Sequence, residues 1–339
     1  MKVAVFSTKT FEKEILEQES QHYKHELVFF EAPLNEKSVS MTEGFDAVCC
    51  FVTDSLNAAT LERLHKHHIR LIALRSAGFN HVDVATAKML GITVVRVPNY
   101  SPYAVAEYAV GLILTLNRKI HRAYQWVREH NFLLTHLLGF DLHGKTIGIV
   151  GTGRIGTVFA RIMHGFGCQL LAFDVVENPE CLAMGVSYVS FDELCRQADI
   201  ISLHCPLTEK TRHILNKESI AKMKPGVMII NTGRGGLIDT KAMIQGLKTG
   251  RVGYLGLDVY EEEEHLFFRD LSETIIQDET FLRLQTFPNV VITSHQAFFT
   301  KEAVANIAKT TLSNISLFAT DPDKLGENRV STDPNCSTS

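Results

Sequence analysis

Three residues whose side chains bind or move charge each follow a run of apolar residues. Asp174 follows LLAF, Arg234 follows VMIINTG and His295 follows VVITS. A histidine exchanges a proton near neutral pH, and an arginine holds a carboxylate through two parallel hydrogen bonds. Taken alone, His295 is equally consistent with a packing residue at a strand end, and Arg234 with a surface arginine in a turn. The surrounding pattern has to decide between these interpretations.

A glycine motif is the strongest local signal. GTGRIG, with its glycines at Gly151, Gly153 and Gly156, stands between an apolar run and a segment with helical spacing. Such a turn lets the backbone approach a pyrophosphate, which the amides and dipole of the following helix attract. Asp174 ends the next apolar run, where a carboxylate hydrogen-bonds a ribose 2′-hydroxyl and repels a 2′-phosphate. The pattern predicts NAD rather than NADP as the cofactor.

With a nicotinamide in place, the other residues fit the reduction of a 2-oxo acid. The carbonyl oxygen of such a substrate needs a proton donor, and His295 is the natural one. Arg234 would bind the substrate carboxylate. A carboxylate beside the histidine would orient its ring, and the run Glu261 to Glu264 offers four candidates. Spacing alone does not choose among them.

Short β-rich runs alternate with helical patterns along the chain, which predicts parallel sheets built from βαβ units. The first series of runs is KVAVFS, ELVFF, DAVCCFV, RLIALRS and ITVVRVP; the second is TIGIVG, LLAFD, IISLHCP, VMIINTG, YLGLDV and NVVITSH. Ligands of open parallel sheets bind beyond the carboxyl ends of the strands. The candidate residues fall at those ends, and the ends of the two series are expected to face each other across a cleft.

A long segment, PYAVAEYAVGLILTLNRKIHRAYQWVREHNF, separates the two series. It predicts one long helix that is apolar over more than a single face. We interpret it as a domain connector and subunit interface, with a helix buried inside one subunit as the alternative.

Composition limits the class of protein. A chain of 339 residues suggests two domains, and 45% hydrophobic with 21% charged residues is typical of soluble proteins. The net charge of -4 offers no basic surface for nucleic acid or anionic lipid. The seven cysteines form no CxxC pair and no signal segment is recognisable, so we expect reduced thiols in a cytoplasmic protein without nucleic-acid or membrane partners.

A cluster of three histidines, His65, His67 and His68, raises the question of a metal site. No cysteine or carboxylate stands nearby at the spacing of metal ligands. A solvated helix end is the better interpretation, and we expect no metal.

Seven motifs together resemble the D-isomer-specific 2-hydroxyacid dehydrogenase family, and within it the D-lactate dehydrogenases. They are RSAGFNHVD (75–83), VPNYSPYAVAEYAVGL (97–112), GIVGTGRIG (148–156), HCPLTEKTRHIL (204–215), INTGRGGLID (230–239), LDVYEEEEHLFF (257–268) and SHQAFFTKEA (294–303). The resemblance covers nearly the whole chain.

The resemblance implies an α/β fold with two Rossmann-like parallel-sheet domains. An NAD-binding domain, residues 101–298, is inserted into a discontinuous flavodoxin-like catalytic domain made of residues 1–100 and 299–330, and residues 331–339 form a flexible tail. The last helix thereby joins the catalytic domain. The connecting helix would make the protein a homodimer or a higher homo-oligomer through the NAD domain.

Residue roles follow from the same resemblance. The catalytic residues would be Arg234, Glu263 and His295, which selects one glutamate from the acidic run. The NAD contacts would be Gly151, Gly153, Arg154, Ile155, Gly156, Asp174, Cys205, Pro206, Thr211, Thr232, Gly233, Arg234 and Asp258. The substrate contacts would be Ser76, Ala77, Gly78, Tyr100, Arg234, His295 and Phe298.

The implied reaction is the NADH-dependent reduction of pyruvate to D-lactate. Some D-lactate dehydrogenases have tyrosine at the position of Phe298, and relatives often have valine and asparagine at Cys205 and Thr211. Phenylpyruvate, branched 2-oxo acids, hydroxypyruvate and glyoxylate are alternative substrates. From a different class of protein, an NAD-sensing corepressor-like binding protein is a further alternative.

Overall fold

The computed structural model describes residues 1–331, which form two compact units. The first consists of Met1–Ser101 and residues 299–331, and the second is Pro102–Phe298. Each unit contains one parallel sheet. The predicted fold class, two parallel-sheet α/β domains with one inserted into the other, is confirmed. From residue 332 on, the predicted flexible tail lies outside the described residues.

The first unit has a five-stranded sheet in the order β2-β1-β3-β4-β5, which is the flavodoxin-like order. Its strands are β1 (Lys2–Val5), β2 (Glu26–Phe29), β3 (Ala47–Cys50), β4 (Leu71–Leu74) and β5 (Thr93–Val95). Its helices, numbered along the whole chain, are α1 (Thr10–Ser20), α2 (Ala58–Lys66), α3 (Val84–Met89) and α12 (Lys301–Thr320). Every residue of β3 and β4 is buried, as expected of central parallel strands. The last helix, α12, packs against α1 and β4 and so belongs to this unit.

The second unit has a seven-stranded sheet in the order β12-β11-β10-β9-β6-β7-β8. Its strands are β6 (Thr146–Val150), β7 (Gln169–Phe173), β8 (Ser187–Tyr188), β9 (Ile200–Leu203), β10 (Val227–Asn231), β11 (Val252–Leu257) and β12 (Val290–Ile292). Its helices are α4 (Pro102–Arg118), α5 (Ile120–Arg128), α6 (Arg154–Gly165), α7 (Pro179–Ala183), α8 (Phe191–Gln197), α9 (Lys217–Lys222), α10 (Thr240–Lys248) and α11 (Glu279–Gln285). Strand order reverses between β6 and β9, the switch point at which Rossmann folds bind dinucleotides.

The segment that separates the two series of strands is not one helix. Helix α4 ends at Arg118, Lys119 takes a left-handed backbone conformation with φ of 50°, and α5 then begins. The prediction of a continuous helix is therefore wrong at Lys119. Helix α4 packs against α6, β10 and β11 inside the unit, whereas α5 has no buried residue. The two halves of the connector thus have opposite environments.

The structure can be examined for membrane-spanning helices, metal-binding clusters and disulfide bonds. Within residues 1–331, no helix combines the length and the apolar character needed to cross a membrane. In the same range, no group of three or more His, Cys, Asp or Glu side chains is arranged around a metal position. His67 of the histidine cluster instead contacts the hydroxyl of Thr42, at 2.9 Å from Nδ1. The six cysteines of the described part are all free thiols.

Candidate active site

The polar candidates of the second unit lie just past the carboxyl ends of its strands. The strands and the residues that follow them are β6 with the glycine turn, β7 with Asp174, β9 with Cys205, β10 with Arg234, β11 with Asp258 and β12 with His295. All strand pairs of this sheet are parallel. The structure therefore brings these residues to one edge of the sheet.

His295 and Glu263 form a hydrogen-bonded pair. The histidine Nδ1 lies 2.7 Å from Glu263 Oε1, and the other oxygen, Oε2, accepts the Tyr260 amide at 2.9 Å. Because a carboxylate only accepts, Nδ1 carries the proton that it donates. Among the residues described, His295 Nε2 has no hydrogen-bond partner. The ring is thus oriented with Nε2 available for proton exchange, and Glu263 is the glutamate of the acidic run that contacts it.

Asp258 holds the backbone that carries His295. Its carboxylate, fully buried, accepts hydrogen bonds from the Thr293 hydroxyl at 2.6 Å and from the Gln296 and Ala297 amides at 2.9 and 2.8 Å. Its carbonyl oxygen accepts the His295 amide at 2.7 Å. Burial raises the pKa of Asp258, while these donors oppose the shift. The Asp258 carboxylate, which was predicted to contact NAD, therefore accepts its hydrogen bonds from the residues on either side of His295.

Arg234 is presented by a turn that Asn231 stabilises. Asn231 is fully buried; its Oδ1 accepts the Gly233 amide at 3.0 Å, and its Nδ2 donates to the Arg234 carbonyl at 2.8 Å. The guanidinium of Arg234 is half-buried and donates from Nη1 to the Gly233 carbonyl at 2.7 Å. Sequence reasoning missed Asn231, although a polar residue at the end of the apolar run VMII was a usable signal.

The glycine turn has the shape of a phosphate cradle. Gly151 has a φ of 96°, and a Cβ on it would lie 2.6 Å from the Cys205 nitrogen, so the turn admits no side chain there. A Cβ on Gly153 would meet no atom within 4 Å. Packing therefore does not explain Gly153, which leaves open space beside the first turn of α6. Thr232 follows β10 at the same edge of the sheet, and its buried hydroxyl has no hydrogen-bond partner within residues 1–331. Both features fit a dinucleotide that fills the space.

The remaining predicted cofactor residues differ in their hydrogen bonds and burial. The Asp174 carboxylate accepts the Thr152 amide at 2.5 Å and the Val175 amide at 2.6 Å, so it is already tied to the glycine turn. Thr211 donates its hydroxyl to the Pro206 carbonyl at 2.7 Å within a local turn. Burial raises the pKa of Cys205 to about 12, which keeps its thiol neutral. Arg154 and Ile155 open α6.

The first unit contains the other predicted substrate residues. Ser76, Ala77 and Gly78 follow β4, with the Ser76 hydroxyl donating to the Gly78 carbonyl at 2.7 Å. In the part of the chain that the structure describes, the amides of Ala77 and Gly78 donate to no protein acceptor. Tyr100 follows β5, and its carbonyl accepts from Asn306 at 2.7 Å. The loop therefore presents two amides that can bind an anion.

A histidine that sequence reasoning missed joins two parts of the site. The His213 amide donates to the Gly236 carbonyl at 2.8 Å, and its Nε2 lies 2.5 Å from Glu261 Oε1. The second Glu261 oxygen accepts the Thr240 hydroxyl at 3.0 Å. The segment around His213 thus links the turn after Arg234 with the loop before Glu263. No signal in the sequence alone pointed to this pair.

Comparison with known proteins adds a family to this geometry. Residues 110–297 match the model for the NAD-binding domain of D-isomer-specific 2-hydroxyacid dehydrogenases. The chain is 53% identical to 2-hydroxyacid dehydrogenase homolog 1 of Schizosaccharomyces pombe, over 97% of this chain and 100% of that protein. It is 51% identical to the D-lactate dehydrogenase of Escherichia coli, over 93% of this chain and 96% of that protein.

A solved structure agrees. The pyruvate reductase of Chlamydomonas reinhardtii superposes with a TM-score of 0.90 at 44% identity, covering 95% of this chain and 97% of that one. The fold and the polar residues at one sheet edge agree with the family that the sequence similarity indicates. The chain belongs to the D-isomer-specific 2-hydroxyacid dehydrogenases, a family of NAD-binding oxidoreductases.

Proposed function

We propose that the protein is a D-lactate dehydrogenase that reduces pyruvate to D-lactate with NADH. The observation that carries the proposal is the His295–Glu263 pair, whose geometry leaves Nε2 available for proton transfer. The names of two relatives, a D-lactate dehydrogenase and a pyruvate reductase, support this choice of substrate. The three relatives named above are a dehydrogenase homologue, a dehydrogenase and a reductase, and these names do not favour a corepressor-like binding protein.

The chain's own residues supply binding and the proton. NADH, when bound, supplies the hydride that C2 of the 2-oxo acid receives. Arg234 binds the substrate carboxylate and polarises the carbonyl, and His295 donates a proton from Nε2 to the carbonyl oxygen. Glu263 accepts the Nδ1 hydrogen bond throughout, so the ring keeps its orientation and its positive charge has a partner before the transfer. In the reverse direction, neutral His295 takes the proton back.

The remaining roles belong to the same proposal. The amides of Ser76, Ala77 and Gly78 bind the substrate carboxylate, and Tyr100 and Phe298 shape the pocket around the substituent on C2. The cofactor contacts are Gly151, Gly153, Arg154, Ile155, Gly156, Asp174, Cys205, Pro206, Thr211, Thr232, Gly233, Arg234 and Asp258. Residues 1–100 with 299–330 serve as the substrate domain, and residues 101–298 as the NAD domain.

Assembly and location complete the proposal. Exposed apolar side chains on α5 and just after it support a homodimer or a higher homo-oligomer formed through the NAD domain. The free thiols in the described residues support a cytoplasmic enzyme.

The direct test is turnover with a panel of 2-oxo acids. Purified protein and NADH are incubated with pyruvate, phenylpyruvate, a branched 2-oxo acid, hydroxypyruvate and glyoxylate, and the product is resolved by chiral chromatography. We expect the highest kcat/KM with pyruvate and the D-isomer as product. NADH binding without turnover of any 2-oxo acid would refute the enzyme, and a better substrate than pyruvate would correct the choice of acid.

His295→Gln tests the proton donor. Glutamine keeps a polar side chain but cannot donate a mobile proton, so kcat should fall by about 10² to 10⁴. NADH affinity, measured by fluorescence titration, should stay within about twofold. The matched control is His164→Gln, because His164 is exposed on α6. Near-normal turnover of His295→Gln would remove this residue from the mechanism.

A further inference from the structure

A buried ion pair in the first unit lies directly before the Ser76–Gly78 loop. Arg75 and Glu12 are 2% and 6% exposed, and Arg75 Nε lies 3.3 Å from Glu12 Oε1. A second contact joins Nη2 to Oε2 at 3.4 Å. Charges buried this deeply are costly unless they are paired and hydrogen-bonded. The other hydrogen bonds of Arg75 therefore show which parts of the unit this pair holds together.

The guanidinium of Arg75 also ties two neighbouring strands together. Nη2 donates to the Phe6 carbonyl at 2.9 Å, just past β1, and Nη1 donates to the Cys49 carbonyl at 3.2 Å, in β3. The Arg75 amide donates to the Cys50 carbonyl at 3.0 Å. Glu12 belongs to the first turn of α1. One side chain thus joins α1 with the carboxyl ends of β1 and β3 at the residue before the loop.

The loop itself has little else to fix its amides. The Ser76 carbonyl accepts the Val97 amide at 2.9 Å, and the Ala77 carbonyl accepts from Arg96 Nη1 at 3.3 Å. These contacts hold carbonyl oxygens, whereas the direction of the Ala77 and Gly78 amides depends on where the chain leaves β4. Arg75 is the residue at which the chain leaves β4. Its hydrogen bonds to Glu12, Phe6, Cys49 and Cys50 fix its position.

We propose that Arg75, braced by Glu12, is a positioning residue that aims the Ala77 and Gly78 amides at the carboxylate of the 2-oxo acid. The inference rests on the proposed function, since it assumes that this loop binds the substrate carboxylate. Misplacing a group of the site by about 1 Å can cost about 100-fold in rate. Arginine is needed because only a planar fork reaches Glu12, Phe6 and Cys49 at once, which a lysine ammonium cannot do.

Two variants separate positioning of the loop from simple attraction between the Arg75 charge and the substrate carboxylate. Arg75→Lys keeps the positive charge and loses the fork. If Arg75 acted by attracting the substrate carboxylate, the KM for the 2-oxo acid would stay the same in this variant. Glu12→Gln removes a negative charge near the loop, and attraction alone would then lower the KM. Positioning predicts a higher KM in both variants.

The experiment compares steady-state kinetics of wild type, Arg75→Lys, Glu12→Gln and the control Arg70→Lys. Arg70 is exposed at the amino end of β4, so its variant makes the same chemical change away from the loop. We expect the KM for pyruvate to rise about tenfold in Arg75→Lys and about threefold in Glu12→Gln, with kcat within about threefold. The KM for NADH should be unchanged in all three variants. An unchanged KM for pyruvate in Arg75→Lys, or a lowered one in Glu12→Gln, would overturn the proposal.

A readout without turnover keeps this test separate from the proposed function. Amide hydrogen exchange of the peptide that spans residues 75–79 should be faster in Arg75→Lys and Glu12→Gln than in wild type and Arg70→Lys. Equal exchange in all four proteins would overturn the positioning role even if pyruvate is the substrate. Wild-type protein that turns over no 2-oxo acid but shows this exchange pattern would refute the proposed function and retain the role of Arg75 in ordering the loop.

Discussion

The backbone of His295 is left-handed, with φ of 54°, and Asp258 holds it there. A residue other than glycine pays about 1 to 2 kcal/mol for this conformation. The hydrogen bonds from the Gln296 and Ala297 amides to the buried carboxylate offset that cost, since bonds to a charged group contribute about 1.5 to 3 kcal/mol each. The position of the candidate proton donor thus depends on a neighbour that does no chemistry itself.

Asp258→Asn should therefore impair catalysis. An asparagine offers one acceptor oxygen, so its amide group must face either the Gln296 or the Ala297 amide, and two donors would oppose each other. We expect kcat to fall at least about tenfold because the His295 ring moves relative to Glu263. Steady-state kinetics checks this, with Asp141→Asn as control, because Asp141 is exposed in the same unit. A large loss of NADH affinity with kcat intact would instead support the direct cofactor contact.

We expect His204 to make the stability of the second unit depend on pH. Its Nε2 contacts the Ser202 hydroxyl at 2.9 Å, its Nδ1 is closed off from solvent, and burial lowers the pKa of the ring to about 3. The unfolded chain binds the proton below about pH 6.5 while the folded chain does not. Protonation of the unfolded chain therefore lowers the free energy of unfolding as the pH falls from about 6.5 towards 3, and above about pH 6.5 this loss is absent.

Urea unfolding at several pH values between 6.5 and 4.5 tests this dependence. The free energy of unfolding should fall more steeply in wild type than in His204→Gln, with a difference of about 1.4 kcal/mol per pH unit. His164→Gln should follow wild type, because His164 is exposed. Parallel curves for wild type and His204→Gln would show that His204 is protonated in the folded protein.

The strand ends at which Asp174, Arg234 and His295 lie could be predicted, because alternating runs imply parallel strands whose carboxyl ends share an edge. The choice of Glu263 among four glutamates could not be made from spacing. It depends on a short helical turn at Glu263–His265 and on the Tyr260 amide, neither of which leaves a periodic pattern. The hydrogen-bond partners of Asn231 and Asp258 could not be predicted either, since a buried polar residue reveals its partners only in three dimensions.

At the scale of elements, the Arg234 turn and the acidic loop pack directly against each other. A Cβ on Gly235 would lie 2.1 Å from the Tyr260 carbonyl carbon, so the two backbones are in contact. The His213–Glu261 pair links the same two segments, because the His213 amide also donates to the Gly236 carbonyl. The segments that carry Arg234 and Glu263 are therefore packed against each other, so a shift of one is expected to move the other.

Glu261→Ala should loosen this junction. The change leaves the His213 ring and the Thr240 hydroxyl without their acceptor, which costs about 1 to 3 kcal/mol of stability. We expect kcat/KM for the 2-oxo acid to fall about tenfold and NADH affinity to change little. Glu264→Ala is the matched control, because Glu264 is exposed in the same loop. Equal kinetics for the two variants would confine Glu261 to a role in stability.

Elements also show where pattern reasoning failed. The apolar pattern continues across Lys119, so periodicity gave no sign of the break between α4 and α5. Lysine carries no turn signal either, although its Nζ donates to the Leu138 carbonyl at 2.7 Å. Strand β8 has two residues, which is too short for any alternation to be recognised.

At the scale of the whole molecule, the chain leaves the first unit after Ser101 and returns to it at Phe299. Runs of apolar residues could not assign α12 to either sheet, because no strand follows it. Its buried face includes Ala308, Leu312 and Ile315, which pack with Val3 and Val5 of β1. The discontinuous unit is thus held together by ordinary hydrophobic contact between distant parts of the sequence.

The second unit displays an apolar surface that a monomer would leave in water. On α5, Ile120, Tyr124 and Val127 are each more than half exposed. Exposed apolar residues follow in the next segment, at Phe132, Leu133, Leu134 and Leu138. A concentration of this kind marks an interaction surface, and a second copy of the chain is the partner that we propose.

The double variant Val127→Asp and Leu134→Asp should therefore convert a dimer into a monomer. A buried unpaired carboxylate costs several kcal/mol at each copy of the interface, and a twofold interface repeats the change. Sedimentation equilibrium should show the mass falling from twice the chain mass to the chain mass. Met89→Asp is the control, because Met89 is an isolated exposed residue of α3 in the first unit. If the wild type is a monomer, the chain has no such subunit interface. If the variant keeps a dimeric mass, the interface lies elsewhere.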